Sequence, residues 1–286
     1  MKADSGSGPH DRGTSGLTTR DSTTLDYLTH LAGDSARFVE VLRQAPAGAR
    51  VPTCADWDAD DLLWHLTTVQ RFWGLIVGRA LTASADVEAL VRDARPGDRT
   101  ELLARFGRAS DDLCRHLHAV PPDMPAWTWS DEQNVGFMRR RQAHEALIHR
   151  LDAELTVGDR TPMDADLSAD GVDEILRVMY CSTPSRGRFA ADAPRTIRVR
   201  GTDIARSWLL TLGRLTVTDD DGAAQDWPGL VVAESDTGEP AAATVSGDAA
   251  DLDCWLWHRP AVGQIERTGD ALVLERLDQV IAWGIN

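Results

Sequence analysis

The apolar residues of the first 160 positions recur at intervals of three and four, which is the spacing that places side chains on one face of a helix. This pattern predicts four helices, over roughly 22–42, 58–76, 98–119 and 139–155. Asp58 is a suitable N-cap for the second helix, and Asp61 adds negative charge near the positive end of that helix. Four helices joined by short and medium connections favour a four-helix bundle.

The pattern changes after about residue 160. A helix is predicted over 167–180 with Ser168 at its start, followed by alternating, strand-like stretches at 196–203, 207–222 and 229–235. A strand, a Gly–Asp turn and an apolar helix follow over 242–261, and then a last strand and helix. We therefore expect an α+β protein, with a helical bundle in residues 22–160 and a small α/β domain in 161–286. Residues 1–21 contain hardly any apolar anchor and are predicted to be a disordered tail.

Charge and cysteine usage narrow the class of protein. The chain of 286 residues has a formal net charge of −15, which argues against a nucleic-acid partner, because nucleic-acid binding needs a basic surface. The four cysteines show no CxxC spacing and no signal peptide precedes them, so we expect reduced thiols and a cytoplasmic protein. The apolar runs are far shorter than the roughly 20 residues of a membrane span, and no membrane association is expected.

The fourth predicted helix carries polar residues at a spacing that can hold a metal ion. Glu145 and His149 are four positions apart, so they lie one above the other at the edge of an apolar stripe. His144 is five positions from His149, roughly 140° round the helix, which excludes the HExxH zinc-protease arrangement. A third ligand must come from another helix. His65 lies beside the apolar stripe of the second helix, where a lone histidine is more often a core residue than a ligand.

Two motifs resemble a known family. The pattern W-x-x-x-D-L-x-x-H-L at residues 57–66, followed by A-H-E-x-x-x-H-R-x-D-A-E at 143–154, is similar to the mycothiol-dependent maleylpyruvate isomerase family, which belongs to the DinB-like metal-binding bundles. The resemblance implies a divalent metal, usually zinc, bound by His65, Glu145 and His149. The stretch SG-x-A-x-x-L-x-x-W-L-x-x-R at 246–259 resembles the small α/β (SCP2-like) domain of that family. It makes Arg259 the candidate for an arginine that assists the substrate, and a plain surface cap is the alternative.

The resemblance implies a metal-dependent enzyme that activates an external thiol, mycothiol, as a thiolate for attack on an electrophilic small molecule. Addition, rotation and elimination give cis–trans isomerisation, whereas addition or displacement alone gives an S-conjugate; the ligand set favours neither outcome. A mycothiol S-transferase of detoxification or natural-product biosynthesis is one alternative, and a non-catalytic small-molecule binding or resistance protein is another. The expected partners are the thiol and the electrophile, and the chain is expected to be a monomer or a weak homodimer.

Further polar residues of the fourth helix have two readings each. Asp152, three positions after His149, either orients the imidazole or pairs with an arginine at the helix surface, and the second is favoured. His144 either lines the pocket or packs, and packing is favoured. The run Arg139–Arg141 either faces an acidic substrate or forms a solvated helix face, and the solvated face is favoured.

Overall fold

The computed structural model describes residues 25–46, 48–181, 187–218 and 223–282. The predicted tail, residues 1–21, lies outside the described residues. Within the described part of the chain, no helix is both long enough and apolar enough to span a bilayer. The architecture is a helical N-terminal part followed by a sheet with its own helices, which confirms the predicted α+β class.

Four long helices form the N-terminal bundle, and a short fifth helix lies in the connection between two of them. The first begins at Tyr27 with Asp26 as its N-cap, several residues later than predicted. The short helix in the connection was not predicted, because five residues are too few to show a period. The bounds are α1 Tyr27–Gln44, α2 Ala59–Gly78, α3 Ser84–Glu88, α4 Arg99–Ala119 and α5 Val135–Val157.

Helix α2 begins as its sequence predicts. The Asp58 side chain accepts hydrogen bonds from the backbone N–H groups of Asp60 and Asp61, and the Asp61 side chain accepts from the backbone N–H of Asp58. This reciprocal capping box satisfies donors that a helix end otherwise leaves without partners. It fixes the start of α2 and therefore the direction of His65, which lies two turns further along.

Helix α5 is buried on nearly every side rather than along one stripe. Its buried residues include Arg141, Gln142, His144, Asp152 and Glu154. The cause is its position, because α5 packs against α1 and α2 of the bundle and also against the first helix of the C-terminal part. Polar side chains in such a helix need partners, since a buried polar group without a hydrogen bond is costly.

The C-terminal part is a five-stranded mixed sheet covered by three helices. Helix α6 starts after Asp164, which caps it in place of the predicted Ser168; Ser168 is buried inside the helix. The strand order is β3-β2-β1-β4-β5, and β1 pairs in parallel with β4 and antiparallel with β2. The bounds are α6 Ala165–Glu174 with a π-helical turn at Ile175–Met179, β1 Arg188–Gly201, β2 Ser207–Thr218, β3 Ala224–Val232, β4 Ala243–Gly247, α7 Ala249–Leu256, β5 Glu266–Gly269 and α8 Ala271–Ala282.

Ion pairs between α5 and α6 connect the two parts of the chain. Arg140 of α5 binds Asp170 and Asp173 of α6, with Nε–Oδ2 and Nη2–Oδ2 distances of 2.8 and 3.0 Å. His144 Nε2 lies 2.9 Å from Asp170 Oδ2, and Tyr27 also donates to that oxygen. His144 therefore packs between helices, which is the favoured reading of the sequence. The predicted division at residues 160 and 161 stays a prediction.

Candidate metal centre

Three side chains from two helices converge in the cleft between the bundle and the C-terminal part. His65 extends from α2, and Glu145 and His149 extend from α5. Glu145 Oε1 lies 3.5 Å from His65 Nε2 and 3.2 Å from His149 Nε2. One potential ligand atom from each of the three residues lies within 4.8 Å of the others. The structure thus brings together the three residues that the sequence singles out.

Asp152 fixes the orientation of one imidazole. Its Oδ2 lies 3.0 Å from His149 Nδ1, so the imidazole donates its Nδ1 proton to the carboxylate and directs Nε2 toward Glu145. This is the arrangement in which a neutral histidine presents a lone pair to a metal. Thr53 also donates to Asp152, over 2.6 Å. The favoured prediction of a surface position for Asp152 is wrong, because its side chain is fully buried.

Arg259 pairs with Asp152 from the C-terminal part. Its Nε and Nη2 donate to the two carboxylate oxygens over 3.0 and 2.7 Å, and its Nη1 donates to the Trp257 carbonyl. Only 14% of the Arg259 side chain is exposed, so the alternative of a plain surface cap is wrong. Asp152 therefore has both predicted kinds of partner, the His149 imidazole and an arginine, although the arginine comes from the C-terminal part and the pair is buried.

A tight helix end directs Arg259 toward this site. Helix α7 ends in a Schellman-type turn, in which Arg259 N–H donates to the Cys254 carbonyl and His258 N–H to the Trp255 carbonyl. His258 occupies the left-handed position of that turn with φ of 58°, where glycine is usual. Its imidazole Nε2 lies 3.1 Å from the Ile281 carbonyl of α8 and helps to hold the turn.

Burial and hydrogen bonding shift the pKa values of Asp152, Glu145 and His149. Burial is the largest single influence and raises the pKa of the Asp152 carboxyl, but the hydrogen bonds from His149 and Arg259 outweigh it and lower that pKa below its usual range. Burial also raises the pKa of the Glu145 carboxyl, but hydrogen bonds from His149 and His65 outweigh it and lower that pKa well below its usual value. Burial lowers the pKa of His149, but hydrogen bonds to Asp152 and Glu145 raise it to about 9. Protons and cations therefore compete for this group of side chains.

The centre opens into a cavity of about 640 Å³ whose wall comes from both parts of the chain. Arg141 lies in this wall, where its guanidinium contacts Glu174 of α6, lies 3.1 Å from Glu145 Oε2 and stacks 5.1 Å from the centre of the Trp257 ring. The wall is completed mainly by aromatic and aliphatic side chains: Trp57, Val69, Trp73, Trp129, Ile148, Met179 and Trp257.

The donor set fits a divalent metal ion. Two imidazole nitrogens and one carboxylate oxygen are the ligands of catalytic zinc sites, which leave a further coordination position open to a substrate or water. All three candidate ligands line the cavity. The buried Asp152 beneath His149 supplies the hydrogen-bond acceptor that metal-binding histidines require on their second nitrogen.

Two family models together match most of the chain. The model described as the mycothiol maleylpyruvate isomerase N-terminal domain matches residues 28–154, and the MDMPI C-terminal domain matches residues 166–276. The chain belongs to the mycothiol-dependent maleylpyruvate isomerase family. Both halves of the family architecture are present, in the order of the two parts that the structure shows.

Two solved structures of the family's isomerase are similar in fold. A crystal structure of the mycothiol-dependent maleylpyruvate isomerase aligns with a TM-score of 0.50 at 12% identity, over 86% of this chain and 93% of that chain. A histidine-to-alanine variant of that enzyme aligns with a TM-score of 0.51 at 11% identity, with the same coverage. At such identities the likeness establishes a shared fold. No curated protein sequence matches the chain.

The favoured reading of Arg139–Arg141 as a solvated helix face is wrong, because all three are held by partners within the protein and Arg141 is buried. Arg139 donates to the carbonyls at the end of α4, at Leu117 and Val120, and Arg140 is held by α6. Only Arg141 reaches the cavity wall. Its position four residues before Glu145 is a signal that the sequence contains, because side chains at that spacing meet on a helix. Thr53 lies in the loop before α2, and the sequence holds no signal for its role.

Proposed function

We propose that the chain is a divalent-metal-dependent enzyme that activates a low-molecular-weight thiol, mycothiol, for addition to an electrophilic small molecule. The observation that carries this proposal is the convergence of His65, Glu145 and His149 at one end of an open cavity. Family membership supports mycothiol as the thiol and isomerisation as the reaction class. Zinc is the preferred ion, because two nitrogens and one carboxylate suit it.

The residues of the chain have distinct tasks in this proposal. A divalent ion at the centre supplies the charge that stabilises a thiolate at neutral pH. His65 and His149 bind as neutral imidazoles, and Glu145 contributes a single negative charge, so the site retains positive charge for the thiolate. Asp152 holds the proton of His149 Nδ1 and thereby keeps Nε2 free. Arg259 holds Asp152 in place and closes one side of the cavity.

The sulfur of the thiolate would form a bond to the electrophilic carbon of an activated double bond, and the π electrons of that bond would move onto the activating group. The former double bond becomes a single bond that rotates, and elimination of the thiolate restores it with the other geometry. An adduct that takes up a proton, or that loses a different leaving group, would leave as an S-conjugate instead. The S-transferase outcome is the second candidate, and the apolar wall of the cavity favours it because that wall suits uncharged apolar electrophiles.

Free cysteines support a reducing compartment for this chemistry. All four cysteines of the chain are unpaired, and none of them is among the three candidate ligands. We assign the nucleophilic sulfur to an external thiol, which family membership supports. We propose the cytoplasm as the compartment, since it keeps low-molecular-weight thiols reduced.

Metal analysis of purified protein tests the proposal. We expect about one zinc per chain in the wild type and its loss in His65→Ala and Glu145→Ala. The control is His118→Ala, which changes an exposed histidine at the end of α4 and should retain the metal. Zinc- and mycothiol-dependent conversion of an electrophile, to its isomer or to an S-conjugate, should follow the metal content. A wild-type protein that binds no metal after zinc is added would overturn the catalytic proposal and leave a binding protein.

A further inference from the structure

The residues that line the cavity indicate which class of electrophile the site binds. We propose that the site takes an uncharged electrophile with an aromatic or similarly flat apolar body, and that it discriminates against carboxylate substrates such as maleylpyruvate. This inference rests on the proposed function, thiol activation at a divalent metal, and it names the substrate class of the same site.

The cavity concentrates the tryptophans of the chain. Four of the ten tryptophans line it: Trp57, Trp73, Trp129 and Trp257. The Trp57 ring centre lies 4.8 Å from that of His65, so the aromatic wall begins directly beside a candidate ligand. Trp129 is 42% exposed at the rim and is held by an edge contact with Phe137. Such rings bind flat apolar groups through large, rigid contact surfaces.

Both arginines of the cavity wall are already paired within the protein. The Arg259 guanidinium directs two nitrogens at Asp152 and the third at the Trp257 carbonyl. The Arg141 guanidinium is bound by Glu174 and Glu145. A substrate carboxylate would compete with a buried carboxylate of the protein for either group, and full capture of the guanidinium would leave that buried carboxylate uncompensated. Breaking a buried pair in this way is strongly unfavourable.

Charge balance at the centre leads to the same conclusion. The two guanidinium groups and a divalent ion together carry four positive charges. Glu145, Asp152, Glu174 and the thiolate of the cofactor carry four negative charges. Asp253, a further buried acid near Glu174, adds none at neutral pH, because burial raises the pKa of its carboxyl well above the usual value. With the thiolate in place, no positive charge remains to offset the desolvation of a substrate carboxylate.

Binding of two unreactive probes tests this inference. Benzylacetone is a neutral aromatic ketone without the double bond that thiols attack, and its para-carboxy analogue differs by one carboxylate. We would titrate each by calorimetry into zinc-loaded protein that also contains mycothiol. We expect benzylacetone to bind at least about tenfold more tightly, a difference of about 1.4 kcal/mol. Equal affinities, or tighter binding of the carboxylate, would overturn the inference.

Variants at the rim make the same test specific to the aromatic wall. Trp129→Ala should weaken benzylacetone binding by roughly threefold to tenfold, which is the range of one aromatic contact. Trp129→Phe should restore most of the affinity. Trp227→Ala, which changes a tryptophan on strand β3 outside the cavity wall, is the matched control and should bind as the wild type does. An unchanged affinity in Trp129→Ala would contradict a role for the wall.

Turnover separates this inference from the function on which it rests. Benzalacetone, the reactive enone, and maleylpyruvate would each be supplied with mycothiol and zinc. Zinc-dependent turnover with a higher kcat/KM for benzalacetone supports both proposals. A higher kcat/KM for maleylpyruvate overturns the substrate class but supports thiol activation. The absence of any zinc- and mycothiol-dependent conversion of either compound, to an isomer or to an S-conjugate, overturns the proposed function, and the calorimetric comparison still decides what the cavity prefers.

Discussion

The pair formed by Asp152 and Arg259 allows a quantitative test of how the two parts of the chain cooperate. Asp152 is fully buried, and the pair closes with two hydrogen bonds of 3.0 and 2.7 Å. Arg259→Met removes the guanidinium and leaves the carboxylate with only His149 and Thr53 as donors. We expect the free energy of unfolding of the zinc-free protein to fall by about 3–5 kcal/mol, the usual effect of breaking a buried ion pair.

The reverse change affects the metal more than the fold. Asp152→Asn keeps the shape of the side chain but replaces a charged acceptor by an amide that must also place two N–H donors beside His149 and Arg259. Zinc affinity should fall by about 10–100-fold, as is typical when a residue that orients a metal ligand is changed. Arg259→Met leaves that acceptor in place, so its zinc affinity should fall by less than about tenfold.

Urea unfolding of the zinc-free proteins and competition with a chromophoric chelator measure the two effects. The double variant removes both charges, so its loss of stability should be smaller than the sum of the single losses by about 1–3 kcal/mol. Arg195→Met is the control, because Arg195 and Asp270 form a pair that is 54% and 33% exposed and should contribute at most about 1 kcal/mol. Strictly additive losses, or equal zinc affinities in the two single variants, would refute the assignment.

Two further predictions concern the packing of α6 against α7. Gly171→Ala would place its Cβ 2.7 Å from Asp253 Oδ2, so we expect the free energy of unfolding in urea to fall by about 1–3 kcal/mol. Gly33→Ala is the control, because its Cβ meets open space, and its free energy of unfolding should rise by about 0.5–1 kcal/mol. Burial and the nearby charge of Glu174 raise the pKa of the Asp253 carboxyl. Above the ordinary aspartate pKa of about 4, the folded protein therefore keeps a proton that the unfolded chain releases. The free energy of unfolding consequently falls as pH rises. Asp253→Asn should therefore be more stable at neutral pH and lose that slope; an unchanged slope across mildly acidic to neutral pH would contradict this.

The relative directions of residues within one helix were predictable from the sequence. Glu145 and His149 are four positions apart in α5, and the helical repeat alone places them on one face. The capping signals at Asp58 likewise fixed the start of α2, from which His65 projects. The candidate ligand set follows from these local rules together with the family resemblance.

The sequence did not predict the hydrogen-bond and ion-pair partners that come from other helices, because these depend on how the helices pack together. Asp152 is a plausible surface residue on α5 considered alone, and it is buried only because the loop after α7 places Arg259 against it. The same holds for Arg141, whose partner Glu174 belongs to another helix. Helix α5 shows no single apolar stripe, because its neighbours cover it from several directions with matched charges. The periodicity of the sequence does not show which charged residues of different helices form ion pairs.

Arg259 lies after α7, so it is synthesised much later than the three candidate ligands. The three candidate ligands are all present once the ribosome has passed His149, whereas Arg259 follows 110 residues later. At roughly 5–20 residues per second, about 5–20 s elapse between them. During that interval a nascent chain has a complete set of metal donors but lacks the guanidinium that holds Asp152 and the tryptophan beside it. In the proposed metal centre the donors would therefore exist well before the guanidinium that orders and covers them.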